Sequence, residues 1–138
     1  MKSLIVEDDF TARRLLQIHL TVFGECAVAI NGIEAINAVT EALSNNEPYD
    51  LICLDINMPH MDGLETLKLI RQIEKTNGTS EQDRVNIIIT SSNDKAECID
   101  YARNEGCQAY LIKPIRKQEL FAEIKSLGFT EQAELPGC

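Results

Sequence analysis

Residues 51–63 read LICLDINMPHMDG. Leu51, Ile52, Cys53 and Leu54 run without a polar break into Asp55, and Pro59 then interrupts the chain. An apolar run that does not alternate predicts a strand covered on both faces. The far end of the stretch predicts a helix start, because Asp62 precedes Gly63 with Glu65 three residues on, the pattern of an N-cap with a capping box. A carboxylate closing a doubly covered strand is costly unless it is paired, bound to a metal or chemically used.

The same unit recurs along the chain. Four more apolar runs, SLIV (3–6), CAVAI (26–30), VNIIIT (85–90) and AYLI (109–112), share the Ile/Val/Leu character. Each run is followed by apolar residues at helical spacing. These are Ala12, Leu15, Leu16, Leu20 and Phe23; then Ile36, Val39 and Leu43; then Leu64, Leu67, Ile70 and Ile73; then Ile99 and Ala102; and finally Leu120, Ile124 and Leu127. Gly106 after Arg103 and Asn104 marks a helix end. NGTSEQD (77–83) reads as a polar loop. Five strands alternating with five helices predict a parallel sheet with helices on both faces. Ligands of such sheets bind outside the carboxyl ends of the strands.

Composition narrows the class. A chain of 138 residues suits one domain with a real core. Residues 1–128 form that domain, and 129–138 a short polar tail. A net charge of -9 speaks against binding nucleic acid or anionic lipid. No apolar stretch reaches the length of a membrane span, and the start lacks a signal peptide. Five cysteines, odd in number and without CxxC spacing, read as reduced thiols in a cytoplasmic protein. Cys53 reads as core, and Cys138 as a thiol on the tail.

Four of the five strands end in reactive residues. The first ends in Glu7, Asp8 and Asp9, the third in Asp55, the fourth in Thr90, Ser91 and Ser92, and the fifth in Lys113 before Pro114. A parallel sheet brings all of these to one edge. Carboxylates gathered there repel one another, and a divalent cation resolves the repulsion. An all-oxygen site suits Mg²⁺ or Mn²⁺, and no His/Cys cluster competes, with His19 and His60 far apart in sequence. A lysine and a hydroxyl beside that cation are the groups that hold phosphoryl oxygens, with the carboxylate as nucleophile. Taken singly, each feature has a plainer reading. Asp55 could cap a helix, the acidic run could be a solvated turn, Tyr110 could simply pack, and a hydroxyl of residues 90–92 could cap the helix that starts near Asp94.

As an ordered set, VEDD (6–9), LDINMPHMDG (54–63), ITSS (89–92) and LIKPI (111–115) resemble the receiver domain of two-component response regulators, over residues 2–127. One departure is a longer connection, KTNGTSEQDRVN (75–86). The resemblance implies a doubly wound, flavodoxin-like (βα)5 fold. It implies Asp55 as phospho-acceptor and Glu7 with Asp8 as the acidic pair. Asp8, Asp55 and the Asn57 carbonyl would ligate the metal, with Glu7 acting through water or hydrogen bonds. Thr90 would be the switch hydroxyl, Tyr110 the switch aromatic and Lys113 the phosphate-facing lysine, after a cis Lys113–Pro114 bond. Ser91 stands where the family often has Ala, and Asn57 and Ser92 flank the phosphate.

The function so implied is a phosphorylation-driven switch without an output domain. A sensor histidine kinase or histidine phosphotransfer protein would load Asp55, and the remodelled surface would meet a downstream protein target. It would not be an enzyme beyond accepting and losing its own phosphoryl group. The rival is a magnesium-dependent phosphohydrolase of the haloacid-dehalogenase type. That class uses DxD, and here the second position is Asn57, which cannot relay a proton. A nucleotide-binding module is the other rival, and no GxGxxG or GxxxxGK[ST] supports it.

Overall fold

The computed structural model describes residues 1–58 and 62–132. Five strands, β1 (Ser3–Val6), β2 (Cys26–Ala29), β3 (Leu51–Asp55), β4 (Asn86–Ser91) and β5 (Ala109–Ile112), form one parallel sheet in the order β2-β1-β3-β4-β5. The helices are α1 (Phe10–Leu20), α2 (Gly32–Ser44), α3 (Gly63–Thr76), α4 (Ala96–Asn104) and α5 (Lys117–Ser126), with short 3-10 turns at Thr21–Phe23 and Glu81–Asp83. The chain leaves β1 for β2 on one side and then crosses to β3 on the other. β1 and β3 therefore flank the point where the strand order reverses.

Alternation along the strands builds two cores, one on each face. Leu4, Val6, Ile52, Leu54, Ile87 and Ile89 pack with Ala35, Val39, Leu67, Ile70 and Ala102 of α2, α3 and α4. Ile5, Leu51, Cys53, Ile88, Ala109 and Leu111 pack with Leu16, Leu20, Leu120 and Ile124 of α1 and α5. Ile87, Ile88 and Ile89 are all fully buried, which is why the run does not alternate in sequence. Burying each such side chain is worth about 1.5–3 kcal/mol.

Asp62 caps α3 by accepting the Glu65 N–H at 2.8 Å. Gly106 ends α4 with φ +106°, its N–H bonded to the Arg103 carbonyl. Three expectations need correction. β2 is an edge strand in which Ala29 alone is buried while the consecutive Ala27 and Val28 are exposed, so its apolar run is not covered on both faces. Leu15, placed on the buried face of α1, is 46% exposed. No hydroxyl of residues 90–92 caps α4; Lys95 is the N-cap residue, and its N–H is received by the Asn93 side chain at 3.0 Å. Pro59, His60 and residues 133–138, Cys138 included, lie outside the described residues. The four cysteines within them are free.

Candidate functional site

Period-two alternation sorts the strand-end residues. On the face of the second core, Ile5, Cys53, Ile88 and Leu111 are each followed two residues later by Glu7, Asp55, Thr90 and Lys113. β3 and β4 pair in a register that sets Asp55 beside Thr90. The four residues come from four strands and meet at one corner of the sheet, at its carboxyl end.

The contacts there are short. Lys113 Nζ donates to Glu7 Oε1 at 2.9 Å and lies 3.3 Å from Asp55 Oδ2. The Asn57 N–H donates to Asp55 Oδ1 at 2.9 Å. Carboxylate oxygens of Glu7, Asp8 and Asp55 lie within 4.8 Å of one another. Glu7 and Asp55 are buried, whereas Asp8 is exposed. Asp9 stands apart: its carboxylate caps α1, accepting the Ala12 N–H at 2.8 Å. The Lys113–Pro114 bond is cis.

Three carboxylates thus face one ammonium. Two like charges ~4 Å apart repel by about 4 kcal/mol at the effective dielectric typical of protein surfaces. The strain shows in Glu7. Burial first, and then the neighbouring Asp55 carboxylate, push its carboxyl from 4.5 up to about 7, against the opposing pull of Lys113. Burial opposes the charge on Lys113, but its hydrogen bond to Glu7 and the Asp55 charge outweigh that and raise its pKa. Glu7 Oε2 is buried without a hydrogen-bond partner. A buried acceptor with no donor, beside two further carboxylates, fits a hard divalent cation that takes oxygen ligands and keeps water.

Two contributors, Arg13 and the close approach at Gly63, carry no obvious sequence signal. Arg13 donates from α1 to the carbonyls of Glu7 and Asp8, at 3.1 and 3.4 Å, and so holds the acidic turn. Gly63 lets α3 begin hard against the Asp55 turn: a Cβ there would sit 2.5 Å from the Asp55 carbonyl oxygen and collide with Ile56. The spacing of Asp62-Gly63 pointed to a cap and not to this approach. Tyr110 is half-buried against the first core, and its hydroxyl donates to the Asn93 carbonyl at 2.8 Å. The Asn57 amide reaches Ser92 Oγ at 3.3 Å and Ser91 Oγ at 3.5 Å.

A family model described as the response regulator receiver domain matches residues 3–125. The chain belongs to this family. As a receiver domain it is a signalling switch of phosphorelay systems. It is 34% identical over 136 residues to a chemotaxis protein CheY homolog of Campylobacter jejuni, with 97% of each chain covered. It is 38% identical over 127 residues to the response regulator ArlR of Staphylococcus haemolyticus, covering 90% of this chain but spanning only 51% of that longer protein. Among solved structures, the receiver domain of Ssk1 from Saccharomyces cerevisiae, crystallised with the histidine phosphotransfer protein Ypd1, superposes with a TM-score of 0.80 at 29% identity, covering 93% of this chain and 88% of that one. Among the described residues of this receiver, no helix is long and apolar enough to cross a membrane.

Proposed function

We propose that this receiver accepts a phosphoryl group on Asp55 from a phosphohistidine of a sensor kinase or phosphotransfer protein and signals by protein contact in the cytoplasm. One observation carries this reading: four strands deliver Glu7, Asp55, Thr90 and Lys113 to a single corner, with Asp8 beside them. An Asp55 carboxylate oxygen attacks the phosphorus. The P–N bond to the donor imidazole breaks, and its electron pair leaves with the nitrogen, which takes up a proton.

Asp8, Asp55 and the Asn57 backbone carbonyl would hold Mg²⁺ or Mn²⁺, with Glu7 acting through water. The cation, when bound, supplies positive charge toward the phosphoryl oxygens. The chain's own residues do the rest. Lys113, already 3.3 Å from Asp55, pairs with the added phosphoryl charge of about -1.5 to -2. Thr90, next to Asp55 in register, supplies a hydroxyl donor. A cavity of about 160 Å³ behind Lys113, lined by Glu7, Leu16, His19, Thr90 and Ile115, leaves room for both to move. Leu15, an exposed apolar side chain that lines this cavity, and the exposed Phe10 on the same helix support docking of a protein donor. Residues 1–128 are the receiver unit of this proposal. Chemistry beyond its own phosphorylation and dephosphorylation is not expected, since Asn57 stands where a phosphohydrolase needs a second acid.

Incubation with acetyl phosphate and Mg²⁺, followed by intact mass, tests the reading. One added phosphoryl that is lost in Asp55→Asn and on chelation of the metal is the expected result. Phosphoryl uptake by Asp55→Asn, or steady turnover of small phosphate esters, would overturn it.

A further inference from the structure

Among the described residues, two buried side-chain polar atoms lack a hydrogen-bond partner, Glu7 Oε2 and Arg84 Nε. They belong to opposite ends of the sheet, since Glu7 follows β1 and Arg84 precedes β4. The first is an acceptor short of a cation. The second is a donor short of an anion. Arg84 lies in KTNGTSEQDRVN (75–86), the connection by which this chain departs from the receiver pattern.

That connection is folded back on the end of α3, and Glu74 anchors it twice. The Glu74 carbonyl accepts the Thr79 N–H at 3.0 Å, and Oε2 accepts the Val85 N–H at 2.7 Å. The loop and α3 enclose an open cavity of about 930 Å³, a size that takes a small molecule. Arg71, Lys75, Thr79 and Arg84 line it, and Glu81 is the one carboxylate among its lining residues. Arg71 is matched by Glu74 at 2.7 Å. Burial lowers the Arg71 pKa, and the nearby Arg84 charge adds to this against the pull of Glu74. Among the described residues neither Lys75 nor Arg84 belongs to an ion pair, so together they outweigh Glu81. Lys75 has a plainer role as well, because a cation in the last turn of α3 complements the helix dipole. That role does not extend to Arg84, which lies outside the helix.

We propose that this cavity binds a phosphate monoester, with its head on Arg84 and Lys75 and its remainder in the open part of the cavity. A guanidinium offers two parallel N–H groups to two phosphate oxygens, and pairing through Nε–H gives the orphaned donor its acceptor. Lys75, exposed on α3, adds a point charge. The Thr79 hydroxyl accepts from the Asn77 amide at 3.5 Å and keeps its own proton to donate. Two cations left without partners match a head carrying about -1.5 to -2 charges better than a single carboxylate. A bare phosphate fills only a small part of this space, which is why the ligand is an ester. The site stands apart from the Asp55 corner and holds whether or not Asp55 is phosphorylated.

Glucose 6-phosphate is the probe. It is titrated into the ¹⁵N-labelled full chain with EDTA present, at constant ionic strength and about pH 7.5, where its phosphate is dianionic. Amide and arginine Nε–H signals are followed. Saturable shifts are expected at Arg84 Nε–H and at amides within 75–86, and none with glucose. Arg84→Gln is expected to weaken binding about tenfold, Lys75→Gln to weaken it severalfold, and Glu81→Gln to tighten it. Binding should fade below about pH 6, as the phosphate takes up a proton. Shifts that never saturate, that fall only at the Asp55 corner, or that persist unchanged in Arg84→Gln would overturn the site. Should Arg84→Gln fail to fold, Lys75→Gln decides, and unchanged affinity there overturns the proposal. Glutarate binding as tightly as glucose 6-phosphate would overturn the phosphate class and point to an acidic side chain instead.

Discussion

Two ion pairs with buried carboxylates occupy opposite ends of the sheet, and they are built by different rules. At the amino end of β4 and β5, Glu74 and Arg71 from α3 are paired at 2.7 Å. Glu74 Oε2 also accepts the Val85 N–H at 2.7 Å, and Arg71 donates to the Gly106 carbonyl at 2.7 Å and to the Gln108 side chain at 3.0 Å. Burial pulls the Arg71 pKa down, and Glu74 pulls it back. At the carboxyl end, Glu7 has a partner for one oxygen and none for the other, and its carboxylate neighbours outnumber the lysine. A buried charge with every donor and acceptor matched is scaffold. A buried charge left short of partners is held ready for a ligand.

Four measurements can break or sharpen that contrast. The largest effect is expected for Glu74→Ala, which strands the Arg71 guanidinium and the Val85 N–H. Chemical denaturation should show a loss of about 3–5 kcal/mol. Glu7→Gln, although equally buried, should leave metal-free stability unchanged or higher at pH 8, and should weaken Mg²⁺ binding by about tenfold in calorimetry. A loss of stability as large as that of Glu74→Ala would erase the distinction.

The third effect is pH dependence. The Glu7 carboxyl is raised in the folded state, so its contribution is fully present below 4.5 and is lost as pH rises through about 7. Metal-free wild type should therefore lose stability relative to Glu7→Gln across that window, by about 3 kcal/mol. Taking the difference cancels His19, whose pKa burial lowers and whose contribution runs the other way. Added Mg²⁺ should flatten the slope. The smallest effect is expected for Glu119→Ala, which removes an exposed 3.9 Å pair with Arg116 and should change stability by less than about 1 kcal/mol.

The sheet was legible in the sequence because Ile, Leu and Val runs of strand length alternate with helical spacing. Which strand lies at the edge was not, since CAVA looks as apolar as LICL and only pairing decides that Val28 meets solvent. The residues at the carboxyl corner were legible because four chemically unusual strand ends follow one another in order. The Arg71–Glu74 pair was not, because charges three apart on a helix normally read as a solvated face. The loop after β4 was misread for a similar reason. A hydroxyl of residues 90–92 looked like a cap for α4, but the Ser91 Oγ accepts the Asn93 N–H, and Asn93 is the residue that reaches the helix.

The scaffold pair also bears on the chemistry through alignment. Three consecutive isoleucines in β4 are interchangeable to the apolar layers, so oil-like packing alone tolerates a slip of one residue. Such a slip would exchange Thr90 and Ser91 across the sheet and leave Asp55 facing the wrong hydroxyl. The strand is indexed instead by polar pegs at its start: Val85 on Glu74, Asn86 on the Asp50 carbonyl, and Ile87 on a glutamine that Arg71 holds. The far end of the molecule thus sets the vernier by which the carboxyl end of the sheet is read.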